Sequence, residues 1–158
     1  MNSHNHFDHL GGIRAPMAEG ITIITQAQNK AYYEKVAMMP HTIVPDRQAK
    51  SPKPAIVEGV GEKRVLTDGT QILELYHIPT VHTDTMLVGY LPNAKILIEA
   101  DLWNPPAANA PPPTTISPVT AAFFESIEKL KLDVQKVAGL HGRLADMKEF
   151  QTAAGKAN

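Results

Sequence analysis

Apolar residues in this chain come in short runs broken by proline and glycine. Ile21-Thr22-Ile23-Ile24 reads as a short buried strand. Thr25 and Gln28 then form a capping-box pattern for a helix reaching about Met38, with Ala27, Ala31 and Tyr32 on one face. Pro40 ends that helix. From Pro40 to Pro54 there are four prolines and few apolar residues, so residues 40–54 read as a loop and a candidate lid over a site. Arg64-Val65-Leu66 and Gln71 to Tyr76 flank Asp68-Gly69, a hairpin signal because a type I′ turn needs positive φ at both central residues. Thr85 to Leu91 and Lys95 to Ala100 repeat the pattern around Pro92-Asn93. These four segments predict a mainly antiparallel sheet. Residues 104–118 hold six prolines, so 104–117 reads as a proline-rich loop. Ser117 is a good N-cap with Pro118 at the first helical position, and Val119, Phe123, Ile127 and Leu130 then line one helical face. Val134 to Leu140 reads as the last strand, and Asp146 to Ala154 as a closing helix.

Length and composition narrow the function classes. The 158 residues fit one domain, or a large part of one. A formal net charge of −1 gives no basic excess for phosphate-backbone binding, so nucleic acid is not an expected partner. The absence of cysteine excludes disulfides, thiolate ligands and a cysteine nucleophile. No apolar run approaches the ~20 residues of a membrane span. The first residues lack the basic and apolar parts of a signal peptide, so the default expectation is a cytoplasmic protein with no membrane partner.

The seven histidines cluster in a pattern that carries chemistry. His4-Asn5-His6-Phe7-Asp8-His9 puts four potential ligands close together. On an extended backbone alternate side chains share a side, so His4 and His6 can converge on one ion. A turn into helix then lets Asp8 and His9 face a second ion. Imidazole and carboxylate suit Zn²⁺, with Fe or Mn as alternatives. Three further candidates each follow an apolar strand: His82, Asp101 and His141. His77 also competes with His82, but lies within a strand and reads as a partly buried structural histidine. His41, in the proline-bounded loop, reads as exposed.

His4-Asn5-His6-Phe7-Asp8-His9-Leu10-Gly11-Gly12 resembles the signature of the metallo-β-lactamase superfamily. The order of the later residues, a strand-end His, a strand-end Asp and a final His, matches the family too. The resemblance implies an α/β fold, the αβ/βα sandwich, and two metal ions, most simply two Zn²⁺. It implies that His4, His6 and His82 bind one ion, that Asp8, His9 and His141 bind the second, and that Asp101 bridges them. It also implies metal-dependent hydrolysis of an ester, thioester, lactone, amide or phosphoester in a small-molecule substrate, with Asp8 or Asp101 accepting or steering a proton. Asp101 and the lack of cysteine argue against antibiotic hydrolysis as the native role.

In the family the His-x-His motif follows several strands, and here three residues precede His4. The resemblance therefore implies the later part of a family domain, N-terminally truncated, with 1–20 holding the metal motif and a helix. His4 and His6 would then sit on a flexible terminus. One sheet face would lack a cover, and self-association as a homodimer or larger homo-oligomer is expected. The alternative is a catalytically inactive metal-binding remnant that self-associates. The weaker substrate-contact expectations are Trp103, as a pocket wall or as loop packing, and Arg143, as an anion holder or a surface residue.

Overall fold

The computed structural model describes residues 1–111 and 114–156. Pro112 and Pro113, part of the loop read over 104–117, lie outside the described residues. The chain divides into two compact units, Met1–Gly61 and Glu62–Asn158. Among the described residues no helix is long and apolar enough to cross a membrane.

In the first unit, α1 (Phe7–Leu10) and α2 (Arg14–Glu19) precede β1 (Ile23–Gln26). Gly20, with φ of 78°, ends α2 in the left-handed region that glycine tolerates. The strand starts two residues later than the apolar run suggests. Its first ladder contact is Ile23 N–H to Ile56 carbonyl, at 2.8 Å, and Ile21 is left exposed. β2 (Val57–Val60) pairs with β1 in parallel, Ile23 opposite Val57. Thr25 is not the helix cap. It is buried in β1, and the Gln26 side chain accepts from Gln28 N–H at 2.6 Å to open a 3₁₀ turn, Ala27–Asn29. α3 (Lys30–Ala37) follows.

The buried face of α3 also differs from the expected one. Tyr33, Val36 and Ala37 pack with Ile13, Met17, Ile23 and Val57, while Ala31 and Tyr32 are exposed. The 3₁₀ turn inserts a rotation that a uniform helical period does not anticipate.

Residues 40–54 are not all loop. They contain α4 (Arg47–Lys50), capped by Asp46, whose side chain accepts from Ala49 N–H at 2.8 Å. Arg14, itself buried, holds Asp46 through two bonds of 2.6 and 2.9 Å. The same guanidinium donates to the Val36 and Ala37 carbonyls at the end of α3, at 2.6 and 3.1 Å. The guanidinium keeps the Asp46 carboxyl well below the usual carboxylate range. Gln48, also buried, donates to Lys53 carbonyl at 2.6 Å. The loop is thus stitched to its own unit by hydrogen bonds.

In the second unit, β3 (Lys63–Thr67), β4 (Ile72–His77), β5 (Leu87–Leu91), β6 (Ile96–Glu99), β7 (Lys136–Gly139) and β8 (Leu144–Asp146) form one sheet in that order. Every pairing is antiparallel except β6 with β7, which α5 (Pro118–Leu130) connects. Parallel neighbours need such a crossover. The β3–β4 hairpin forms as expected, but its turn is not type I′. It closes on Thr67 opposite Ile72, and only Gly69 has positive φ. Asp68 instead organises the turn, its Oδ1 accepting from Thr70 N–H, Gln71 N–H and Thr70 Oγ1 at 2.7–2.8 Å. Ser117 caps α5 as expected. The segment after β7 is not all loop, since Gly142, with φ of 112°, lets β8 return against β7. A three-residue strand is too short to show a period. α6 (Met147–Ala153) begins with a full capping box between Asp146 and Glu149.

One sheet face, including Tyr76, Val88, Tyr90, Leu97 and Val137, packs with Phe123, Phe124 and Ile127 of α5 and Phe150 of α6. Register places Leu75, Leu87, Ile96 and Ile98 on the opposite face. Leu75 and Leu87 are fully buried, so the centre of that face is covered rather than bare.

Three hydrogen bonds to one carboxylate hold the Asp68 carboxyl down at about 2. A depressed folded-state value contributes stability that is present above the unfolded carboxyl range and lost as pH falls toward 2. Asp68→Asn keeps an acceptor but loses the charge. Its stability deficit against the wild type, measured by urea unfolding, is expected at pH 6 and should shrink as pH is lowered from 4 toward 2.

Candidate metal centre

The first nine residues are anchored. Asn2 N–H donates to Ile24 carbonyl at 2.8 Å, which lays the start of the chain beside β1. Asn2 Nδ2 donates to His9 carbonyl at 2.8 Å, which ties the start of α1's motif to its end. The Tyr33 hydroxyl donates to Asn2 Oδ1 and lies 3.2 Å from His4 carbonyl. Burial of Tyr33 pushes its hydroxyl up to about 12. Asn2, Ser3 and His4 are buried, so the expected flexible terminus is not what forms. The ordering cost of ~1–2 kcal/mol per residue is offset here by hydrogen bonds and burial.

These anchors gather the imidazoles. His4 is fully buried, with Ser3 Oγ 3.2 Å from its Nδ1. His6 has extended backbone (ψ 153°) and stands at the N-terminus of α1. The His4 ring centroid lies 4.5 Å from that of His6 and 4.4 Å from that of His9. His9 Nε2 lies 3.4 Å from Asp8 Oδ2. Extended chain followed by a helical turn brings all four side chains of the motif into one cluster.

The second unit gathers the remaining candidates at one sheet edge. Thr80 Oγ1 accepts from the N–H groups of His82 and Thr83, both at 3.2 Å, which shapes the turn carrying His82. Asp101 follows β6 in the left-handed region, with φ of 67°. Its carboxylate divides between two histidines: Oδ2 is 3.2 Å from His82 Nε2, and Oδ1 is 3.1 Å from His141 Nε2. His77 stays apart, its Nε2 2.7 Å from Asp84 carbonyl and its Nδ1 3.7 Å from Glu62. His41 is exposed and 3.8 Å from Asp46.

Glu99 underlies the Asp101 turn and escapes sequence reasoning. Its Oε2 accepts from Leu102 N–H at 2.9 Å and Trp103 N–H at 3.3 Å. Burial pushes its carboxyl up to about 7 against the lowering effect of those bonds. A Cβ on Gly139 would lie 2.9 Å from His141 carbonyl and 3.0 Å from Glu99 Oε1, so only glycine lets β7 pass this close. The available signal was a charged residue at the end of the apolar run Ile96-Leu97-Ile98-Glu99, on the same face as core Leu97.

Trp103 is buried and stacks on Phe150 with centroids 5.0 Å apart, and it also lines a cavity. Arg143 offers no free guanidinium for an anion. It donates to Pro106 carbonyl at 2.7 Å and to both Glu149 oxygens.

Comparison with solved structures gives the fold. A metallo-beta-lactamase from Pontibacter korlensis is 21% identical with a TM-score of 0.65, over 98% of this chain and 66% of that one. An archaeal metallo-beta-lactamase superfamily protein from Sulfolobus tokodaii is 17% identical with a TM-score of 0.66, over 98% and 65%. The chain has the metallo-β-lactamase fold. Rubredoxin oxygen:oxidoreductase from Desulfovibrio gigas is also similar, at 18% identity and a TM-score of 0.66, over 98% of this chain and 41% of that one. The chain thus spans under two thirds of the length of the metallo-β-lactamase-fold proteins it matches. No family profile and no curated protein matches the sequence. Among the described residues the candidate metal donors are His4, His6, Asp8 and His9 in the first unit and His82, Asp101 and His141 in the second. Imidazole nitrogens and carboxylate oxygens are a donor set that fits Zn²⁺, Fe or Mn.

Tyr33→Phe removes the hydroxyl that reaches Asn2 and His4. It is expected to lower stability by about 1–2 kcal/mol in urea unfolding and to speed hydrogen exchange at the Asn2 amide. Unchanged exchange would show that the segment is held without Tyr33.

Proposed function

We propose that this chain is a dinuclear metallohydrolase, with His4, His6 and His82 holding one divalent ion, Asp8, His9 and His141 a second, and Asp101 between them. The observation that carries this reading is the Asp101 carboxylate, which presents one oxygen to each of two histidines from separate loops. A carboxylate between two cations is what their mutual repulsion requires. The packed imidazoles of His4, His6 and His9 supply the matching nitrogen donors. The preferred metal is zinc.

When bound, such ions make water a nucleophile at neutral pH and polarise a carbonyl or phosphoryl oxygen. The chain's own residues supply the rest. Buried His4 is oriented by its neighbours, with Ser3 Oγ beside its Nδ1. Asp8 is the more exposed carboxylate, placed to accept the proton released from water. Asp101 is held in its turn by Glu99 through Leu102 and Trp103 and serves as the fixed anion of the pair. The reaction class is hydrolysis of an ester, thioester, lactone, amide or phosphoester in a small molecule.

Elemental mass spectrometry on protein purified without chelator or affinity tag is expected to give about two metals per chain, and Asp101→Ala about one or fewer, with at least a hundredfold lower turnover of a generic ester. Metal content well below one per chain overturns the proposal. Two metals without turnover of esters, lactones or phosphodiesters would favour the inactive metal-binding alternative.

Assembly is a separate proposal. Exposed apolar side chains available to a second copy include Met38, Met39, Ile43 and Val44, which lie close together in sequence. Sedimentation equilibrium is expected to show a dimer, and a monomer at micromolar concentration overturns this.

A further inference from the structure

The second unit contains an open cavity of about 720 Å³, lined among others by Asp101, Trp103, Val119, Thr152 and Ala153. That volume lies within the range of small-molecule sites. Its chemistry is unusual for a site beside a carboxylate. The charged side chains in its described lining are Asp101 and Glu149, with no Lys, Arg or His among them. Glu149 is already neutralised by Arg143, through both carboxylate oxygens. Polar groups in the wall are turned inward to the protein as well. Thr120 Oγ1 donates to Leu102 carbonyl at 3.0 Å, Thr152 Oγ1 donates to Lys148 carbonyl at 3.0 Å, and Ser117 Oγ accepts from Thr120 N–H at 3.4 Å. What remains facing the space is mostly tryptophan, leucine, valine, proline and alanine, with Asn104 and Thr115 as its uncharged polar residues.

The surface is therefore largely apolar and uncharged, with a carboxylate of the candidate metal donor set at one place in its wall. Away from the Asp101 end, where the hydrolase reading places the ions, an anionic group would find no Lys, Arg or His in the described lining, which is costly in a partly desolvated space. A neutral hydrocarbon chain or ring would gain from leaving water, at ~25 cal/mol per Å² of apolar surface removed.

We propose that this cavity binds the uncharged, apolar acyl or alkyl portion of the substrate, with the bond to be cleaved at the Asp101 end. The proposal rests on the hydrolase reading above and names its substrate class: neutral esters, lactones or amides with a hydrophobic substituent rather than anionic or phosphorylated compounds. Arg143 brings no free cation to the cavity. It pins Pro106 and Glu149 and so shapes the cavity instead of charging it.

Trp103 is the chain's one tryptophan and stands in the cavity wall, so binding can be read without turnover. The full chain, stripped of metal, is titrated with hexanamide and, separately, with hexanoate, following Trp103 emission. A saturable change with hexanamide is expected, with hexanoate at least about tenfold weaker. Thr152→Phe, which fills the space from α6, should weaken hexanamide binding about tenfold. Val119→Phe does the same from α5 and serves if the first variant misfolds by circular dichroism. No saturable change, equal response to both probes, or undiminished affinity in a folded filled variant overturns the proposal. Because metal is absent from this titration, the two readings fail separately. Hexanamide binding by a chain that never holds metal sinks the hydrolase reading alone, and two metals per chain without hexanamide binding sinks the cavity alone.

Discussion

The second unit's site depends on a buried carboxylate folding back on its own chain. Glu99 ends β6 and accepts from the N–H groups of Leu102 and Trp103, closing a tight turn around Asp101. An acidic side chain in that position is expensive, and burial raises its carboxyl to about 7. The structure offsets the cost with two backbone hydrogen bonds, and the outcome is a rigid turn that orients one aspartate toward two histidines. From the same turn Leu102 and Trp103 enter the helical core, where Trp103 stacks on Phe150. Packing of the unit and placement of the carboxylate are thus settled by the same few atoms.

The first unit solves a similar problem with a different device. Asn2 holds the histidine motif by bonding to Ile24, to His9 and to Tyr33. Tyr33 reaches this point because α3 buries it beneath the motif, among Ile13, Met17 and Val36. Packing of an ordinary helix therefore fixes the ring positions of His4, His6 and His9.

Much of this was legible in the sequence, and the rest failed for identifiable reasons. The candidate donor residues stand in a dense motif and at strand ends, where local pattern singles them out. The β3–β4 hairpin, the Ser117 cap and the Asp146 helix start were readable because each is decided within a few residues. What was missed depends on distant partners. Two adjacent tyrosines, Tyr32 and Tyr33, look alike until the 3₁₀ turn before α3 sets which faces inward. The 40–54 segment looks like free loop until Arg14, 32 residues before Asp46, reaches it. β8 exists because Gly142 permits a reversal, and three residues carry no period of their own.

The backbone at Asp101 carries one more implication. A left-handed conformation suits glycine best and asparagine next, and an aspartate there gives up of order 1 kcal/mol. Stability alone would therefore favour a different residue at this position. If the chain were passed through rounds of mutation and selection for heat resistance only, position 101 would be among the first to drift. Retention of aspartate under selection for activity, and its replacement under selection for stability, would make this single backbone angle a record of what the chain is kept for.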